Sequence, residues 1–301
     1  MSRRRYSLST LAFTSLLVGC TSSTTPATTD AGGNAPDGAR TDGGGVTPDG
    51  RAGGDGGASE AGGGAMLRIY VKGDLTPMQL NDGLSGQTPK TYEMGLTRFE
   101  VLRSATDPSP VLVFDHGATP RRVDLKGTTL AGEAPLKQLP AGSYTHGRIV
   151  LAWGKATVDA TVHAQGMTIP GELTLRGALS DTSLDGKSYK QGEAEYTFKV
   201  ATVERSLKGS LPALPSTGGG QVSQSGGKTY LTFAFPKPLV LSPSATKDHR
   251  ATIVYKIFES FRWQEESKAG YATKVFDVDA DGPSSEPVKN FGALDYAVET
   301  E

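Results

Sequence analysis

The stretch GKATVDATVHAQG, residues 154–166, carries the pattern that decides the fold of this chain. Small or apolar side chains recur at every second position, at Ala156, Val158, Ala160 and Val162, and polar side chains separate them. Successive side chains of a strand point to opposite sides of a sheet, so the alternation predicts a strand with one buried face and one solvated face.

The same period of two recurs in both directions from this stretch. It is clearest in LRIYVK (67–72), TYLTFAFPKP (229–238) and IVYKIFESFRW (253–263). Turn-forming residues such as Asp185-Gly186 separate the candidate strands, and helical periodicity is scarce. These features predict an all-β fold, an antiparallel β-sandwich over residues 66–301, with at most short helices such as one around Ala134 to Gln138. The pattern leaves open whether this region is one sandwich or two subdomains that part near residues 165–168.

The N-terminus has the three parts of a secretory signal. Arg3, Arg4 and Arg5 precede an apolar run that ends in Leu17-Val18-Gly19, and Cys20 follows directly as the single cysteine of the chain. The run is too short to span a bilayer, which takes about 20 apolar residues.

The segment Leu17–Cys20 resembles the lipobox of bacterial lipoproteins. The resemblance implies a signal peptide over residues 1–19, cleavage before Cys20, and lipid chains that attach this cysteine to a membrane. Thr21 in place of Asp resembles the outer-membrane sorting pattern of Gram-negative lipoproteins. We therefore expect a membrane-anchored protein of the cell envelope, at the outer membrane or cell surface. The alternative is an ordinary signal peptide with an incidental cysteine.

Residues 20–65 predict a disordered linker after the lipidated cysteine. From Thr21 to Ala65 there is no aromatic residue, and Gly, Asp, Ala, Thr, Ser and Pro predominate. Such a segment cannot bury enough apolar surface to offset the entropy of ordering. A flexible coil of these 45 residues has a root-mean-square span of about 35–40 Å.

Three further segments resemble an uncharacterised domain family that is common in bacterial surface lipoproteins. They are GLTRFEVLR (95–103), VDL (123–125) and LPAGSYTHGRIVL (139–151), and FAFPKPLVLSP (233–243) is similar to the closing strand of the family. The resemblance implies a transthyretin-like or immunoglobulin-like sandwich and supplies no activity. The insertion at 180–190 and the Gly-rich loop at 216–227 depart from the family pattern.

The segment VFDVDADGP (275–283) contains the sharpest local motif. Asp277, Asp279, Asp281 and the following glycine match the first positions of an Asp-x-Asp-x-Asp-Gly calcium loop, in which carboxylates converge on a hard cation. The twelfth position is valine where that loop needs a bidentate glutamate, and Glu286 lies two residues earlier. We expect either a weak calcium site of Asp277, Asp279, Asp281 and Glu286 or a solvated acidic turn.

Two other groups of residues give weaker signals of a binding site. His146 and His163 fall in strand candidates on either side of a turn expected near Gly154, which would bring the two histidines together. Trp153 and Trp263 offer a stacking platform for sugar rings if they are exposed, although aromatic residues in strands more often belong to a core.

The charge balance bears on the class of partner. Residues 66–301 carry 26 basic and 26 acidic side chains, so nothing resembles the basic footprint of a nucleic-acid binder. No nucleophile motif such as G-x-S-x-G is present, and we do not expect an enzyme. We expect a binding or structural module whose partners are the membrane, through the lipid on Cys20, and an unknown envelope protein or glycan. A calcium-stabilised adhesion or carbohydrate-binding module is the alternative, and a hydrolase is a distant one.

Overall fold

The computed structural model describes residues 64–212, 220–279 and 285–301. The predicted signal peptide (1–19) and the predicted linker (20–65), apart from Gly64 and Ala65, lie outside the described residues. The chain from Gly64 to Glu301 belongs to one compact unit. None of the described residues forms a helix that is long and apolar enough to cross a bilayer.

Strands account for most of the described chain. In chain order they are β1 (Met66–Asp74), β2 (Ser85–Gln87), β3 (Thr91–Leu102), β4 (Val111–Asp115), β5 (Arg121–Asp124), β6 (Thr128–Pro135), β7 (Gly142–Ala164), β8 (Met167–Ala178), β9 (Thr182–Leu184), β10 (Lys187–Tyr189), β11 (Glu193–Val200), β12 (Val203–Ser210), β13 (Gly220–Ser225), β14 (Lys228–Leu241), β15 (His249–Lys256), β16 (Phe261–Trp263), β17 (Phe276–Asp279), β18 (Val288–Phe291) and β19 (Asp295–Thr300). A single 3₁₀ turn, Leu136–Gln138, lies where the sequence predicts a short helix.

The largest sheet is organised around β7. Its strands follow the order β12-β11-β8-β7-β14-β13, and β3 and β17 also pair with β7 while β4 and β5 pair with β3. A four-stranded sheet has the order β19-β15-β1-β6, a three-stranded sheet the order β18-β16-β2, and β9 pairs with β10. Pairing is antiparallel, as predicted, except that β1 runs parallel to β15 and β17 runs parallel to β7.

The strand β7 spans 23 residues and changes partners along its length. On one side, residues 142–151 pair with β14 and residues 153–164 pair with β8. On the other side, β3 pairs with residues 146–157 and β17 with residues 160–163. One long strand therefore connects four neighbours into a single sheet.

The core lies between the large sheet and the four-stranded sheet. Leu67, Ile69 and Val71 of β1 belong to the same buried cluster as Phe99 of β3 and Phe233 of β14. Their positions at every second residue are the alternation that the sequence shows, and burial of such side chains supplies the main driving force for folding. The all-β sandwich predicted from the sequence is thus the fold of the described chain.

The alternating stretch at residues 154–164 is a half-buried strand, as predicted. Ala156, Val158 and Ala160 are buried, and Asp159 between them is exposed. The turn expected at Gly154 is wrong, because the strand continues through this residue. Gly154 lies beside the ring of Phe291, which a Cβ atom at this position would meet at an ordinary contact distance of 3.4 Å.

The residues near 165–168, where the sequence leaves a division into two subdomains open, form the turn of the β7–β8 hairpin. Gln165 and Gly166 have φ angles of 49° and 73°. Two consecutive positive φ angles are typical of the tight turn whose twist matches that of the flanking strands.

Candidate functional site

The acidic segment predicted as a calcium loop begins in β17. Its parallel pairing with β7 sets Asp277 opposite Thr161 and Asp279 opposite His163. Asp281 lies outside the described residues, as do residues 280–284. The described part of the motif is therefore a sheet strand, and its neighbours are set by the pairing with β7.

Asp277 is fully buried and its carboxylate makes contacts within the protein. Oδ1 lies 2.6 Å from Nε2 of His163, whose ring nitrogen donates to it, and Oδ2 accepts a 3.1 Å hydrogen bond from the backbone N–H of Ala272. The ring of Tyr271 stacks on the imidazole with centroids 4.7 Å apart. The carboxylate therefore joins the loop before β17 to the end of β7.

Glu286 is also buried and ties two backbone segments together. Its carboxylate accepts hydrogen bonds from the backbone N–H groups of Asp277, at 2.8 Å, and Glu266, at 2.9 Å. Burial raises the pKa of Glu286 above its ordinary value, although these two hydrogen bonds act in the opposite direction. Asp279 lies 3.8 Å from Nζ of Lys268.

Among the described residues, no group of three or more His, Cys, Asp or Glu side chains surrounds a common point suited to a metal ion. Asp277 and Glu286 are brought together through a backbone amide, and their carboxylates accept hydrogen bonds from separate donors. Because Asp281 lies outside the described chain, the calcium site stays a prediction.

Two weaker expectations are corrected by the fold. His146 and His163 lie on the same strand, 17 residues or about 55 Å of extended chain apart, so they do not form a pair. Trp153 and Trp263 have exposed fractions of 3% and 0%, so neither presents a ring for stacking against a sugar. The alternation in the sequence correctly places Trp153 and Trp263 in strands. The elements that cover the two rings are distant in sequence.

A polar cleft, which the sequence reasoning missed, lies under the β9–β10 hairpin. This hairpin is formed by the 180–190 insertion, and its tip residues Asp185 and Gly186 have φ angles of 49° and 78°. Leu184 and Tyr189 of the hairpin pack with Trp153 in a small hydrophobic cluster that is separate from the main core. The insertion thus covers one end of the outer face of the large sheet.

The hairpin is held down at its tip by charge. The carboxylate of Asp185 accepts hydrogen bonds from Arg122 (2.9 Å), Lys155 (2.9 Å) and Arg176 (3.1 Å). Burial alone would raise the pKa of Asp185, but the hydrogen bonds from Lys155, Arg176 and Arg122 outweigh it and hold the pKa far below its ordinary value. Asp185 is therefore ionised throughout the neutral range.

The cleft has a volume of about 170 Å³ and is partly open to solvent. Its lining alternates charged and hydroxyl side chains: Arg176, Asp185, Lys187, Tyr189, Glu195, Thr197, Glu204 and Ser206. The exposed lining is more polar than apolar, so the cleft suits a small polar group.

Glu195 forms the floor of the cleft and is only 4% exposed. Its carboxylate accepts hydrogen bonds from Lys187 Nζ at 2.8 Å and from the hydroxyl of Tyr189 at 3.0 Å. The hydrogen bond from Lys187 lowers the pKa of Glu195, so this buried group stays charged. Arg176 donates through Nη1 to the hydroxyl of Thr197, 3.0 Å away.

The sequence carries one signal for this site, the Asp185-Gly186 turn between short alternating segments. The signal predicts a hairpin, and it does not show which strands lie beneath it. No family model, curated protein or solved structure matches the chain.

Proposed function

We propose that the protein is a lipid-anchored lipoprotein of the cell envelope that holds a β-sandwich at the end of a long linker, where it acts as a non-catalytic binding or structural module. The observation that carries this proposal is Cys20, the single cysteine of the chain, placed directly after the apolar run of a signal segment. A thiol at that position is the attachment point that lipoprotein maturation needs.

The proposed anchor agrees with the energetics of membrane attachment. Each buried methylene group contributes about 0.8 kcal/mol, so several acyl chains on one residue hold a protein on a membrane where a single myristoyl chain does not. Lipidation would also leave the mature chain without a free thiol. The sandwich would then depend on its core alone, and the buried cluster shared by its two larger sheets is extensive enough to provide that stability.

The linker and the sandwich meet at a defined place. The carbonyl of Ala65 accepts a hydrogen bond from the backbone N–H of Leu136, and Met66 begins β1. The 45 residues between Cys20 and Met66 have a span of about 35–40 Å if they form a flexible coil. We propose that this length lets the module reach partners away from the lipid surface.

A binding role is supported by the polar cleft beneath the β9–β10 hairpin. Its floor holds a buried carboxylate at Glu195, which Lys187 and Tyr189 keep charged, and the hydroxyl-bearing residues Thr197 and Ser206 line the cleft beside it. The resemblance of LPAGSYTHGRIVL to surface-lipoprotein domains supports the same setting. In that segment the hydroxyl of Tyr144 donates to the carbonyl of Pro140 at 3.0 Å, which fixes the corner before β7.

Mass spectrometry of the protein made in a bacterium tests the anchor. We expect a mature N-terminus at Cys20 that carries acyl chains, and incorporation of an alkyne-labelled fatty acid. A Cys20→Ala variant should keep its signal segment and take up no label. Recovery of the mature protein with an unmodified sulfur would contradict the proposal.

The predicted sorting to the outer membrane has its own test in a Gram-negative host. Separation of the two membranes should place the natural chain in the outer fraction, and a Thr21→Asp variant should stay in the inner fraction. Identical fractionation of the two proteins would refute the sorting prediction and leave the anchor unaffected.

A further inference from the structure

The outer side of strands β3, β7, β8, β11 and β12, which we call the polar face, has side chains arranged in rows across the strands. Directly opposed residues of antiparallel strands lie on the same side of a sheet. A row of hydroxyl side chains runs over all five strands in register: Thr91, Thr157, Thr174, Thr197 and Ser206. Such a row is visible only when the register of all five strands is known.

Charged rows flank the hydroxyl row on both sides. The first consists of Glu93, Lys155, Arg176, Glu195 and Lys208. The second consists of Asp159, Glu172, Lys199 and Glu204. These side chains are longer than threonine and serine, so we infer that the hydroxyl row forms the floor of a trough that crosses the strands.

The hydroxyl groups of the trough are connected to one another. Thr157 and Thr174 lie 2.9 Å apart through their Oγ1 atoms, and Thr197 Oγ1 lies 2.9 Å from Oγ of Ser206. A hydroxyl has one donor and two acceptor positions, so Thr157, Thr174 and Ser206 keep capacity for a further hydrogen bond, whereas Thr197 also accepts one from Arg176. Thr197 has an exposed fraction of 7%, which places its hydroxyl at the bottom of the trough.

The trough leads into the cleft beneath the hairpin. Thr197 and Ser206 are members of the hydroxyl row and also line the cleft, and Arg176 and Glu195 are shared with the first charged row. The trough and the cleft therefore form one continuous polar surface.

The charges of the polar face nearly cancel. The first charged row has three basic and two acidic residues, the second has one basic and three acidic residues, and Lys90 bridges Asp159 and Glu172 at 2.5 Å and 3.0 Å. Together these side chains carry five positive and five negative charges. A surface of this kind does not attract a polyanion over long range, which separates it from a nucleic-acid or acidic-polymer site.

We propose that the polar face binds an uncharged glycan chain, which lies along the trough with one sugar unit in the cleft. Sugar hydroxyls are donors and acceptors at once, so they match a surface of alternating hydroxyl, carboxylate and guanidinium groups. Neighbouring strands are about 4.8 Å apart, a spacing close to the length of one sugar unit in an extended chain. Recognition proceeds through hydrogen bonds because the tryptophan nearest the face, Trp153, is buried under the hairpin.

This proposal names the partner of the binding module proposed above and rests on that proposed function. Affinity electrophoresis of the full lipidated chain tests it. The protein is kept in micelles of a zwitterionic detergent without a sugar headgroup. Native gels contain dextran, mannan or a soluble β-glucan as neutral probes, and hyaluronan as the acidic probe. We expect at least one neutral polymer to slow migration and hyaluronan to have no effect.

Substitutions in the trough identify the binding surface. The double variant Thr174→Val and Thr197→Val removes two hydroxyls with little change of shape, and we expect about a tenfold loss of affinity, equivalent to about 1.4 kcal/mol. Ser206→Ala, at the exposed edge of the row, should weaken binding less and keeps the test valid if the double variant unfolds. Thr128→Val, at an exposed position of β6 in the other sheet, is the matched control and should bind as the natural chain does.

The outcomes are distinct. Migration unaffected by all three neutral polymers, retardation by hyaluronan alone, or equal binding by the natural chain and the trough variants would each overturn the glycan assignment. None of these results would alter the acylation of Cys20 or the fractionation with membranes. Failure of the glycan proposal is therefore separable from failure of the anchored-module proposal.

Discussion

Replacing Asp185 with Asn should loosen the hairpin that forms the cleft and should destabilise the whole sandwich. The substitution keeps the shape of the side chain and removes the negative charge that three cations share. Without that charge, Arg122, Lys155 and Arg176 are left close together. Glu93 lies 3.5 Å from Arg122 and 3.9 Å from Lys155, and Glu195 is the residue opposite Arg176 on the next strand.

The size of the effect follows from the exposure of the groups. Side-chain exposure is 31% for Asp185, 20% for Lys155 and for Arg176, and 49% for Arg122, so solvent screens the three interactions in part. Ion pairs at such positions contribute up to about 1 kcal/mol each. We expect Asp185→Asn to lower the free energy of unfolding by about 2–3 kcal/mol and the midpoint of thermal unfolding by roughly 5–10 °C.

The effect should depend on pH. The pKa of Asp185 is lower in the folded state than in the unfolded state, so its contribution to stability is fully present above the unfolded value of about 3.9. That contribution is lost as the pH falls from this value through the lower folded pKa. The stability difference between the natural chain and Asp185→Asn should therefore be constant near neutrality and shrink below about pH 4.

Urea unfolding of the full chain, followed by circular dichroism from pH 7 down to pH 3, measures this difference. The matched control is Asp159→Asn on the same face, because its carboxylate is 57% exposed and pairs with the single cation Lys90. Its cost should stay below about 1 kcal/mol. Equal stability of Asp185→Asn and the natural chain at pH 7, or a deficit that persists unchanged at pH 3, would refute the assigned role of Asp185.

Two further predictions follow from other parts of the fold. A Cβ atom at Gly147 would lie 2.6 Å from the ring of Phe233, so Gly147→Ala should lower the free energy of unfolding in urea by about 1–3 kcal/mol. Gly154→Ala, whose nearest contact would be at 3.4 Å, should lower it less. Equal losses for the two variants would contradict the packing described for β7. If the predicted site of Asp277, Asp279, Asp281 and Glu286 binds calcium, a concentration ten times the dissociation constant should stabilise the fold by about 1.4 kcal/mol, and a chelator should reverse the shift. An unchanged unfolding midpoint between chelator and 10 mM calcium would exclude the site.

The local pattern of the sequence was sufficient for the fold class and insufficient for the sites. Ala156 and Val158 are buried because alternation along a strand reports directly on burial. Gly154 was misread as a turn because a glycine inside a strand, with an aromatic ring from another strand packed beside it, looks the same in sequence as a glycine that bends the chain. The distinction depends on Phe291, which is 137 positions away.

The candidate sites depend on register, which a single sequence does not specify. Thr157, Thr174 and Thr197 form a row only because two antiparallel strand pairings, β7 with β8 and β8 with β11, align them, and a slip of one residue would move one of them to the core face. Asp277 was predicted as a cation ligand from its spacing to Asp279. Its burial against His163 follows from the parallel pairing of β17 with β7, two segments that are more than 100 residues apart.

The position of β1 has a mechanical consequence. This strand begins one residue after Ala65, and it lies between β15 and β6 in the middle of its sheet. A tensile load applied at Met66 along the strand would act in shear on two ladders at once, from Leu67 to Asp74 on one side and from Met66 to Lys72 on the other. An edge strand under the same load would be held by one ladder only. A load that arrived through the predicted linker, from flow or from a pulling partner, would therefore meet a strand held on both sides.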